Sequence, residues 1–476
     1  MGGLSGKAFL LERVRRGSHP SLLVDAGNLL FKRTYVATEE GITSPALITA
    51  KGILRAYKTM SYDAVALSST DLSAGYDFFR QTDHNSFPWV AANIYNQNSE
   101  RPFSPYIIKK IDRLTIGIIG LTGDVGNSIG DFVINDWRIA LQKELPLLEE
   151  RCDVLIVLST LSSLENRELQ QDYNQIDIIV AADPKQTNLP PKILESSLLT
   201  QSGGRGKYLG KLDITWNGGG KWLVASSDFS AQVKSRLRSI ESQLFQLEKR
   251  QRETKKDLSK RIELLRSYRK DIADQIAQHP DLESVERENE PSKSFKSSFL
   301  AVKPSSSKNT IDSIVENIKK DINQFNRNRR EAPPIDPPVR STPSKNTFVG
   351  SSSCSKCHKK QTEFWKTTRH AKAYHTLSSR GQSSNIQCLP CHVTAGKVTS
   401  ASTESEKLVL LSLRAEWQSI GCEACHGPGY RHLRSSDAYR PVRRPAEKVC
   451  IQCHTSERDD NFDYQIKLLA ITCPVS

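Results

Sequence analysis

Pairs of cysteines three positions apart, each followed directly by a histidine, recur in the last quarter of the chain. The four motifs are Cys354-Ser-Lys-Cys357-His358, Cys388-Leu-Pro-Cys391-His392, Cys422-Glu-Ala-Cys425-His426 and Cys450-Ile-Gln-Cys453-His454. This spacing is the signature of covalent c-type haem attachment. Each thiol adds to one vinyl group of the porphyrin, and the adjacent histidine supplies the proximal nitrogen ligand to iron. The sequence therefore predicts four covalently bound haem c groups.

Zinc ribbons are the alternative interpretation of the same cysteines. Two Cys-x-x-Cys pairs can provide four thiolates to one tetrahedral zinc ion. A ribbon, however, does not need a histidine after the second cysteine of every pair. The chain has only 10 histidines in 476 residues, so their position directly behind these cysteines favours haem over zinc.

Composition and charge limit the possible classes of protein. Hydrophobic residues make up 37% and charged residues 25% of the chain, as in ordinary globular proteins. No apolar stretch approaches the roughly 18 residues of a membrane span, so we expect no integral membrane segment. The net charge of +14 favours acidic partners or anionic surfaces. Because no recognition motif accompanies this charge, we expect no nucleic acid partner.

The expected location is periplasmic or otherwise extracytoplasmic, because c-type haem is attached outside the cytoplasmic membrane. The first residues, Met1-Gly-Gly-Leu-Ser-Gly, lack the charged and then apolar layout of a signal peptide. We therefore expect the native N-terminus to differ from Met1.

The first part of the chain, residues 1–225, alternates short β-rich runs with amphipathic or polar stretches, which predicts an α/β domain. The runs are Leu22–Asp25, Ala64–Leu67, Trp89–Ile94, Thr115–Leu121, Val154–Leu158, Ile176–Val180 and Leu212–Trp216. Residues 2–222 resemble the metallophosphoesterase domain of the five-prime-nucleotidase family, which implies an α/β sandwich. The resemblance is carried by Leu23–Asn28, Tyr62–Leu67, Ala91–Ile94, Ile116–Leu121 and Ile176–Val180.

The metal ligands of that family are missing from this chain. The family holds two metal ions with Asp, Asn and His residues in loops after the strands. The matching positions here are Asn28 for the Asp of the Gly-Asp motif, Ser69-Thr70 for Asn-His, Ser159-Thr160 for Ser-His, and Ala182-Asp183-Pro184-Lys185 for Gly-His-x-His. The opening Asp-x-His of the family would lie upstream of Met1, and its C-terminal substrate-binding domain has no counterpart. Since hydroxyl groups and a lysine replace the ligands, we predict a catalytically inactive scaffold, a pseudo-phosphoesterase.

A helical spacer is predicted for residues 226–330. Val233, Leu237, Ile240, Leu244 and Leu247 have the a/d spacing of a coiled coil, and after a slip in register the pattern resumes with Ile262, Leu265, Ile272 and Ile276. A second apolar stripe, Ile311, Ile314, Ile318, Ile322 and Phe325, predicts a shorter helix. The two helices could form an antiparallel hairpin, the long helix could pair with another copy in a homo-oligomer, or it could lie on the adjacent domain.

A proline-rich linker, residues 331–346, precedes the predicted cytochrome domain of residues 347–476. Four haems in about 100 residues leave too little side-chain volume for an ordinary core, so the porphyrins must fill the interior. We expect a mostly α-helical and loop fold with closely spaced rings, which makes electron hopping between irons the default function.

This domain resembles the tetrahaem cytochrome c family of the cytochrome c-554 type over residues 348–474. The matching stretches are Phe348–Gly350, Phe364–Lys366, His370–Ala373, Gly421–Gly429 and Cys453–Thr455. The resemblance implies that His370 and His432 are distal axial ligands and that one haem keeps an open position. It assigns no distal partner to the second or fourth haem, which are therefore the candidates for the open iron.

A count of histidines addresses the same point independently. Besides the four proximal histidines the domain contains only His370, His375 and His432, so at most three of four irons can have two histidines from within it. At least one iron is then five-coordinate, or takes a ligand from His19, His84, His279 or another chain. His375 is either a ligand or a residue on a solvated helix face.

The favoured function is transfer of single electrons between a redox donor protein and an acceptor protein. The alternative is a haem enzyme that reduces or oxidises a small nitrogen or oxygen species at the open iron, and phosphoester hydrolysis is the least favoured. No catalytic side-chain arrangement is recognisable around the motifs, and no catalytic residue is assigned.

Overall fold

The protein is represented by a computed structural model, and its chain divides into two compact units. One unit comprises Met1–Glu39 and Ile53–Ile311, and the other comprises Glu40–Gly52 and Asp312–Ser476. The structure describes residues 3–17, 19–31, 44–82, 86–123, 126, 128–184, 186–204, 206–218, 220–224, 292–304, 308–329, 347–394, 396, 409–435, 439–455, 458–459 and 462–474, with single positions between 240 and 270.

The helices of the described part are α1 (Gly3–Arg15), α2 (Pro45–Thr59), α3 (Gly75–Gln81), α4 (Trp137–Glu149), α5 (Ser163–Asp172), α6 (Thr310–Asn328), α7 (Ser351–Cys354), α8 (Lys359–Thr367), α9 (Ala373–Ser378), α10 (Cys422–His426), α11 (Tyr430–Arg434), α12 (Glu447–Cys450) and α13 (Tyr464–Ile471). The strands are β1 (Val24–Asp25), β2 (Ala64–Ala66), β3 (Trp89–Val90), β4 (Ile94–Asn96), β5 (Tyr106–Ile111), β6 (Leu114–Leu121), β7 (Ser128–Ile129), β8 (Phe132–Ile134), β9 (Val154–Ser159), β10 (Ile178–Ala181), β11 (Leu189–Leu194), β12 (Ser197–Gln201), β13 (Tyr208–Asn217), β14 (Lys221–Val224) and β15 (Ser292–Ala301).

The first unit is built around a six-stranded sheet of order β11-β12-β10-β9-β6-β5. Its four inner strands are parallel, and the edge strands β5 and β11 are antiparallel to their neighbours. Every residue of β9 is buried, as expected for a parallel strand covered on both faces. The α/β prediction is confirmed, and each β-rich run identified in the sequence contains a strand.

Both faces of this sheet are covered by apolar layers. On one face α4 and α5 pack through residues such as Trp137, Leu141 and Leu169. On the other face the parallel sheet β1-β2-β3 packs through Ala64 and Val90 and other buried residues. The start of α5 is fixed by a capping box, in which Ser162 and Glu165 bind each other's main-chain N–H groups. The result is a sandwich with loops that converge at the ends of β1, β2 and β10.

Strand β15 corrects the prediction that residues 226–330 are helical throughout. All ten of its residues pair with β13, and its first residues also pair with β14. The ammonium group of Lys293 forms a buried ion pair with Asp177 and lies 4.8 Å from the ring centre of Trp216. The strand is rich in serine and lysine, so its local pattern is weak, and these contacts come from distant parts of the chain.

The prediction that the coiled-coil seam lies on one long helix is also corrected. The described positions between 240 and 270 are helical, and Ile240 and Leu244 form one buried cluster with Ile262. Glu248 and Arg266 are 18 positions apart and form an ion pair of 2.7 Å. In one straight helix they would lie about 27 Å apart. The two halves of the seam therefore pack side by side.

One further part of the spacer prediction is confirmed, and the other parts lie outside the described residues. Helix α6 confirms the second apolar stripe, and its residues Ile311, Ile318 and Ile322 are buried. Val233, Leu237, Ile272, Ile276 and the proline-rich linker lie outside the described residues.

The second unit has short helices and loops around a small core. Its buried cluster comprises Leu377, Leu389, Val393, Leu410, Leu413 and Trp417. Helix α6 contacts the loop before the second cysteine motif, because the main chain of Ser384 hydrogen-bonds the side chains of Asn323 at 2.9 Å and Asn326 at 2.8 Å. Across the described ranges, no helix is both long and apolar enough to cross a bilayer.

Asp71 is fully buried and joins the loop after β1 to the loop after β2. Its carboxylate accepts hydrogen bonds from the main-chain N–H groups of Asn28, Leu29, Leu30 and Ser68 and from the Ser68 hydroxyl. A buried acceptor with this many donors positions both loops at once.

We expect Asp71→Asn to lower the free energy of unfolding by about 1–3 kcal/mol, because an amide N–H₂ would face buried main-chain donors that lose their acceptor. Asp77→Asn is the matched control, since Asp77 is exposed and forms only a surface ion pair with Arg80. Urea denaturation of the full chain measures both values. Equal stability of the two variants would contradict this role for Asp71.

Candidate functional site

Each cysteine motif of the second unit forms a single helical turn. In the first and fourth motifs the histidine N–H donates to the carbonyl of the first cysteine, at 3.0 Å from His358 and 2.9 Å from His454. The third motif coincides with α10. The second forms a tighter 3₁₀ turn that contains Pro390, in which the His392 N–H donates to Leu389 at 2.8 Å. The turn brings the histidine of each motif close to the first cysteine, four positions earlier.

The histidine rings are oriented by hydrogen bonds at Nδ1. The acceptors are the carbonyls of Ala373 for His392 at 2.7 Å, Val442 for His426 at 2.6 Å and Tyr439 for His432 at 2.9 Å, and the carboxylate of Asp459 for His454 at 2.8 Å. Since a carbonyl or carboxylate only accepts, Nδ1 carries the proton in each ring. Nε2 is then left with its lone pair for a metal ion.

His432, on α11, faces the proximal histidine of the first motif. The ring centres of His358 and His432 are 6.0 Å apart and the rings are inclined by 31°. Two imidazoles that bind one metal ion from opposite sides with bonds of about 2.0 Å have ring centres roughly 6 Å apart. The pair is therefore spaced to hold one iron atom between its nitrogens.

A second pair has the same spacing. The ring centres of His370 and His454 are 6.2 Å apart, with an angle of 66° between the rings. Burial lowers the pKa of His370, and the nearby His454 lowers it further. The ring is thus neutral at pH 7, which is the form that binds a metal. His454 also stacks on Phe462 at 4.6 Å.

The other histidines that the structure describes are not brought into such pairs. Within the ranges that the structure covers, neither His392 nor His426 faces a second histidine ring. His375 is exposed on α9, and His19 is exposed in the first unit. His84 and His279, the further ligands considered from the sequence, lie outside the described residues.

Cysteines from different motifs approach one another. The thiols of Cys354 and Cys422 share a hydrogen bond, which raises the pKa of the first and lowers that of the second. Burial, followed by the nearby thiol of Cys450, raises the pKa of Cys425 to about 11. The first motif therefore adjoins the third, and the third adjoins the fourth. Groups attached at these cysteines would lie at neighbouring positions.

These features fit covalent haem. The paired rings leave room for one iron, the free Nε2 atoms suit iron ligation, and each helical turn brings together a cysteine and a histidine. The cysteines Cys357, Cys388, Cys391 and Cys453 complete the attachment set.

In the first unit, the structure brings together two of the family's ligand positions, Asn28 and Thr70, and the main chain of Ala182. Asn28 has a left-handed backbone, with φ of 58°, and its amide donates to the Ala182 carbonyl at 2.6 Å. The Thr70 hydroxyl donates to the Asn28 side chain at 3.4 Å. The loops after β1, β2 and β10 thus meet through hydrogen bonds between their own residues.

The remaining positions have similar internal partners. Thr160 accepts from the Gly123 N–H at 3.1 Å, and Asp183 accepts from the Ser163 hydroxyl at 2.9 Å. Lys185 lies outside the described residues. Among the residues that could be searched, no three His, Cys, Asp or Glu side chains form a group able to hold a metal ion.

Glu423, between the cysteines of the third motif, was missed by sequence reasoning. Its side chain is buried, with 3% of the residue exposed, and accepts hydrogen bonds from the main-chain N–H groups of Val349, Gly350 and Gly429. The only sequence signal is an acidic residue at a variable motif position, followed by a glycine-rich segment.

Comparison with known proteins supports both resemblances. The profile of the family described as "Cytochrome c554 and c-prime" matches residues 353–427. Cytochrome c-554 of Nitrosomonas europaea is 32% identical over 112 residues, covering 19% of this chain and 45% of that protein. Protein UshA of Escherichia coli is 23% identical over 275 residues, covering 49% of each. The solved structure of the sulfate thiohydrolase SoxB of Thermus thermophilus is similar with a TM-score of 0.39 and 16% identity, covering 46% of this chain and 41% of that one.

The chain spans less than half the length of the curated relatives it matches. Its N-terminal region is similar to metallophosphoesterases and 5'-nucleotidases. Its C-terminal region is similar to cytochromes of the c554 type, and the family match lies within residues 353–427.

Proposed function

We propose that this protein is a tetrahaem c-type cytochrome that transfers electrons outside the cytoplasmic membrane, with an α/β unit that is a non-catalytic scaffold. The observation that carries the proposal is the pair of histidine contacts at 6.0 and 6.2 Å. Haem supplies the one-electron chemistry when bound, and the residues of this chain attach it, ligate it and set its surroundings.

Two haems receive a complete set of ligands in this proposal. The haem at Cys354 and Cys357 is held between His358 and His432, and the haem at Cys450 and Cys453 between His454 and His370. An iron with two imidazole ligands has no open position for a substrate, which favours electron transfer over catalysis. The fourth haem, considered from the sequence as a candidate for the open iron, thus has a partner in His370.

The attachment sites give a path along which electrons can move. The thiol contact of Cys354 with Cys422 and the proximity of Cys425 to Cys450 support a succession of the first, third and fourth haems. The donor and acceptor are redox proteins, and the net charge of +14 favours acidic ones. Extracytoplasmic location follows from where c-type haem is attached.

The second candidate function is reaction of a small nitrogen or oxygen species at an open haem. A cavity of about 480 Å³ is lined by Tyr374, Leu411, Leu413, Arg327 and Arg414, among others. The first three also pack in the cluster that Cys388 contacts, so the cavity adjoins the second motif. Guanidinium groups at its wall suit a small oxyanion. His392 has no described histidine opposite it, which favours this haem as the open one.

The α/β unit acts as a scaffold in this proposal because its former ligand positions bind one another. The amide of Asn28 spans the site to the Ala182 carbonyl at 2.6 Å, and Thr70 contacts Asn28. A dinuclear centre needs imidazole and carboxylate groups to bind the ions and balance their charge. Neither is supplied by Asn28, Thr70 or Thr160.

Protein matured in an exporting host should carry four haem groups that remain attached after denaturation, because thioether bonds are covalent. Mass spectrometry of the denatured chain measures the added mass. Replacing Cys388 and Cys391 with serine should remove one haem and leave the rest. Zinc in place of iron in the purified protein would overturn the assignment.

His370→Ala and His432→Ala should each convert one low-spin haem to high-spin and raise its reduction potential, because loss of a nitrogen donor destabilises ferric iron. His375→Ala is the matched control and should change neither property, since His375 is exposed. Electron paramagnetic resonance (EPR) spectra and redox titrations measure both. The planes of the two imidazole rings differ by 31° in the His358–His432 pair (the 31° pair) and by 66° in the His370–His454 pair (the 66° pair). The two low-spin haems should therefore give distinct EPR signals, and the signal of the 66° pair should have the larger maximum g value.

Persistence of the 66° signal in His370→Ala, or of the 31° signal in His432→Ala, would contradict the axial pairing. In the wild-type protein, at least one high-spin centre should bind added nitric oxide or cyanide. If all four irons are low-spin, the second candidate function is excluded.

The full chain should neither bind manganese or zinc stoichiometrically nor hydrolyse a generic phosphomonoester, because Asn28, Thr70 and Thr160 supply neither imidazole nor carboxylate groups at the ligand positions. Elemental analysis for metals other than iron and a colorimetric phosphatase assay test this. Metal-dependent turnover that is abolished by Asn28→Ala or Asp183→Ala would overturn the scaffold proposal.

A further inference from the structure

We propose that Glu423, inside the third haem motif, is a positioning residue for both axial ligands of the first haem. The inference rests on the proposed pairing of His358 with His432 and deepens it. One buried carboxylate of the third motif thereby aligns two histidines that lie on different elements.

The contacts of Glu423 link three separate segments. One carboxylate oxygen accepts from the main-chain N–H groups of Gly429 at 2.7 Å and Val349 at 2.9 Å, and the other accepts from Gly350 at 2.8 Å. Glu423 itself lies on α10 between Cys422 and Cys425. Because its acceptor positions are filled by buried donors, the carboxylate holds these segments in fixed relative positions.

The donors stand just before the helices that lead to, or contain, the two histidines. Gly350 precedes α7, which leads directly through the turn at Cys354 to His358. Gly429 precedes α11, which contains His432. A shift at either glycine would move one imidazole relative to the other, and the 6.0 Å spacing leaves room for only one metal atom.

Other contacts show that the first and third motifs form one packed assembly. The Cys422 N–H donates to the Ser351 hydroxyl at 3.2 Å, and the Cys354 and Cys422 thiols share a hydrogen bond. A Cβ on Gly429 would lie 2.9 Å from the Val349 side chain and 3.2 Å from the Glu423 carboxylate. The absence of a side chain at Gly429 therefore permits the close approach that Glu423 requires.

The test is Glu423→Gln in the mature haem protein. Glutamine has the same size, but its N–H₂ group must face at least one of the three main-chain donors. The loss of one buried hydrogen bond corresponds to about a tenfold shift from the low-spin toward the high-spin form of the first haem. We expect the EPR signal of the 31° pair to decrease while the signal of the 66° pair, from His370 and His454, stays unchanged.

Glu416→Gln is the matched control. Glu416 is an exposed acid in the same neighbourhood, and its carboxylate accepts from the Ser352 hydroxyl at 3.2 Å. This variant should keep both low-spin signals. Gly429→Ala provides an independent perturbation of the same contact, and it should reproduce the selective loss seen with Glu423→Gln.

The outcomes separate this inference from the proposal on which it rests. If His432→Ala leaves the spin state unchanged, the axial pairing is wrong. If His432→Ala removes the 31° signal but Glu423→Gln and Gly429→Ala keep it, the role of Glu423 is overturned. Equal loss of both signals in Glu423→Gln would show a general effect on folding and would also overturn it. The double variant Glu423→Gln, His432→Ala should match His432→Ala alone at the first haem.

Discussion

The geometry of two imidazoles across one metal atom is the constraint on which the second unit depends. Ring centres roughly 6 Å apart leave space for one iron and its two bonds, and the structure has this spacing twice, at 6.0 and 6.2 Å. The members of each pair come from different helices or turns, so the backbone must place them without a large core. The small cluster around Leu389 and Trp417 cannot do this alone. Much of the alignment of these histidines therefore comes from hydrogen bonds to main-chain groups, formed by the histidine Nδ1 atoms and by the Glu423 carboxylate.

In the first unit, hydrogen bonds join residues of neighbouring loops directly to one another. Its central sheet is buried on both faces, and loops meet at the strand ends as in an α/β sandwich with a catalytic site. The residues at these strand ends, however, hydrogen-bond to each other. The Asn28 amide donates to the Ala182 carbonyl, and the Asp71 carboxylate accepts from main-chain N–H groups of two loops. Such contacts stabilise the loops without an ion. In proteins that hold metals there, the ions themselves contribute to this cohesion.

Much of this architecture was predictable from sequence because its signals are local. The cysteine motifs, the β-rich runs such as Val154–Leu158 and the apolar stripe of α6 each lie within a short window, and the structure bears out the strands and the helix. Strand β15 was not predicted, because serine and lysine dominate its sequence and because its position is set by a contact with Asp177, more than 100 positions away. The side-by-side packing of Ile240 with Ile262 was missed for a related reason, since heptad spacing does not reveal which helix covers the seam.

The histidine partners illustrate the same limit within the site. Counting residues bounds how many irons can have two histidine ligands, but cannot say which histidine faces which iron. His370 follows the first motif in sequence yet faces His454 of the fourth, and His432 follows the third motif yet faces His358 of the first. Each of these contacts joins motifs that are distant in the chain. In the proposed ligation the haems and the fold would therefore be interdependent, because loss of the haem from one motif would also remove the ligand contact that orders another motif.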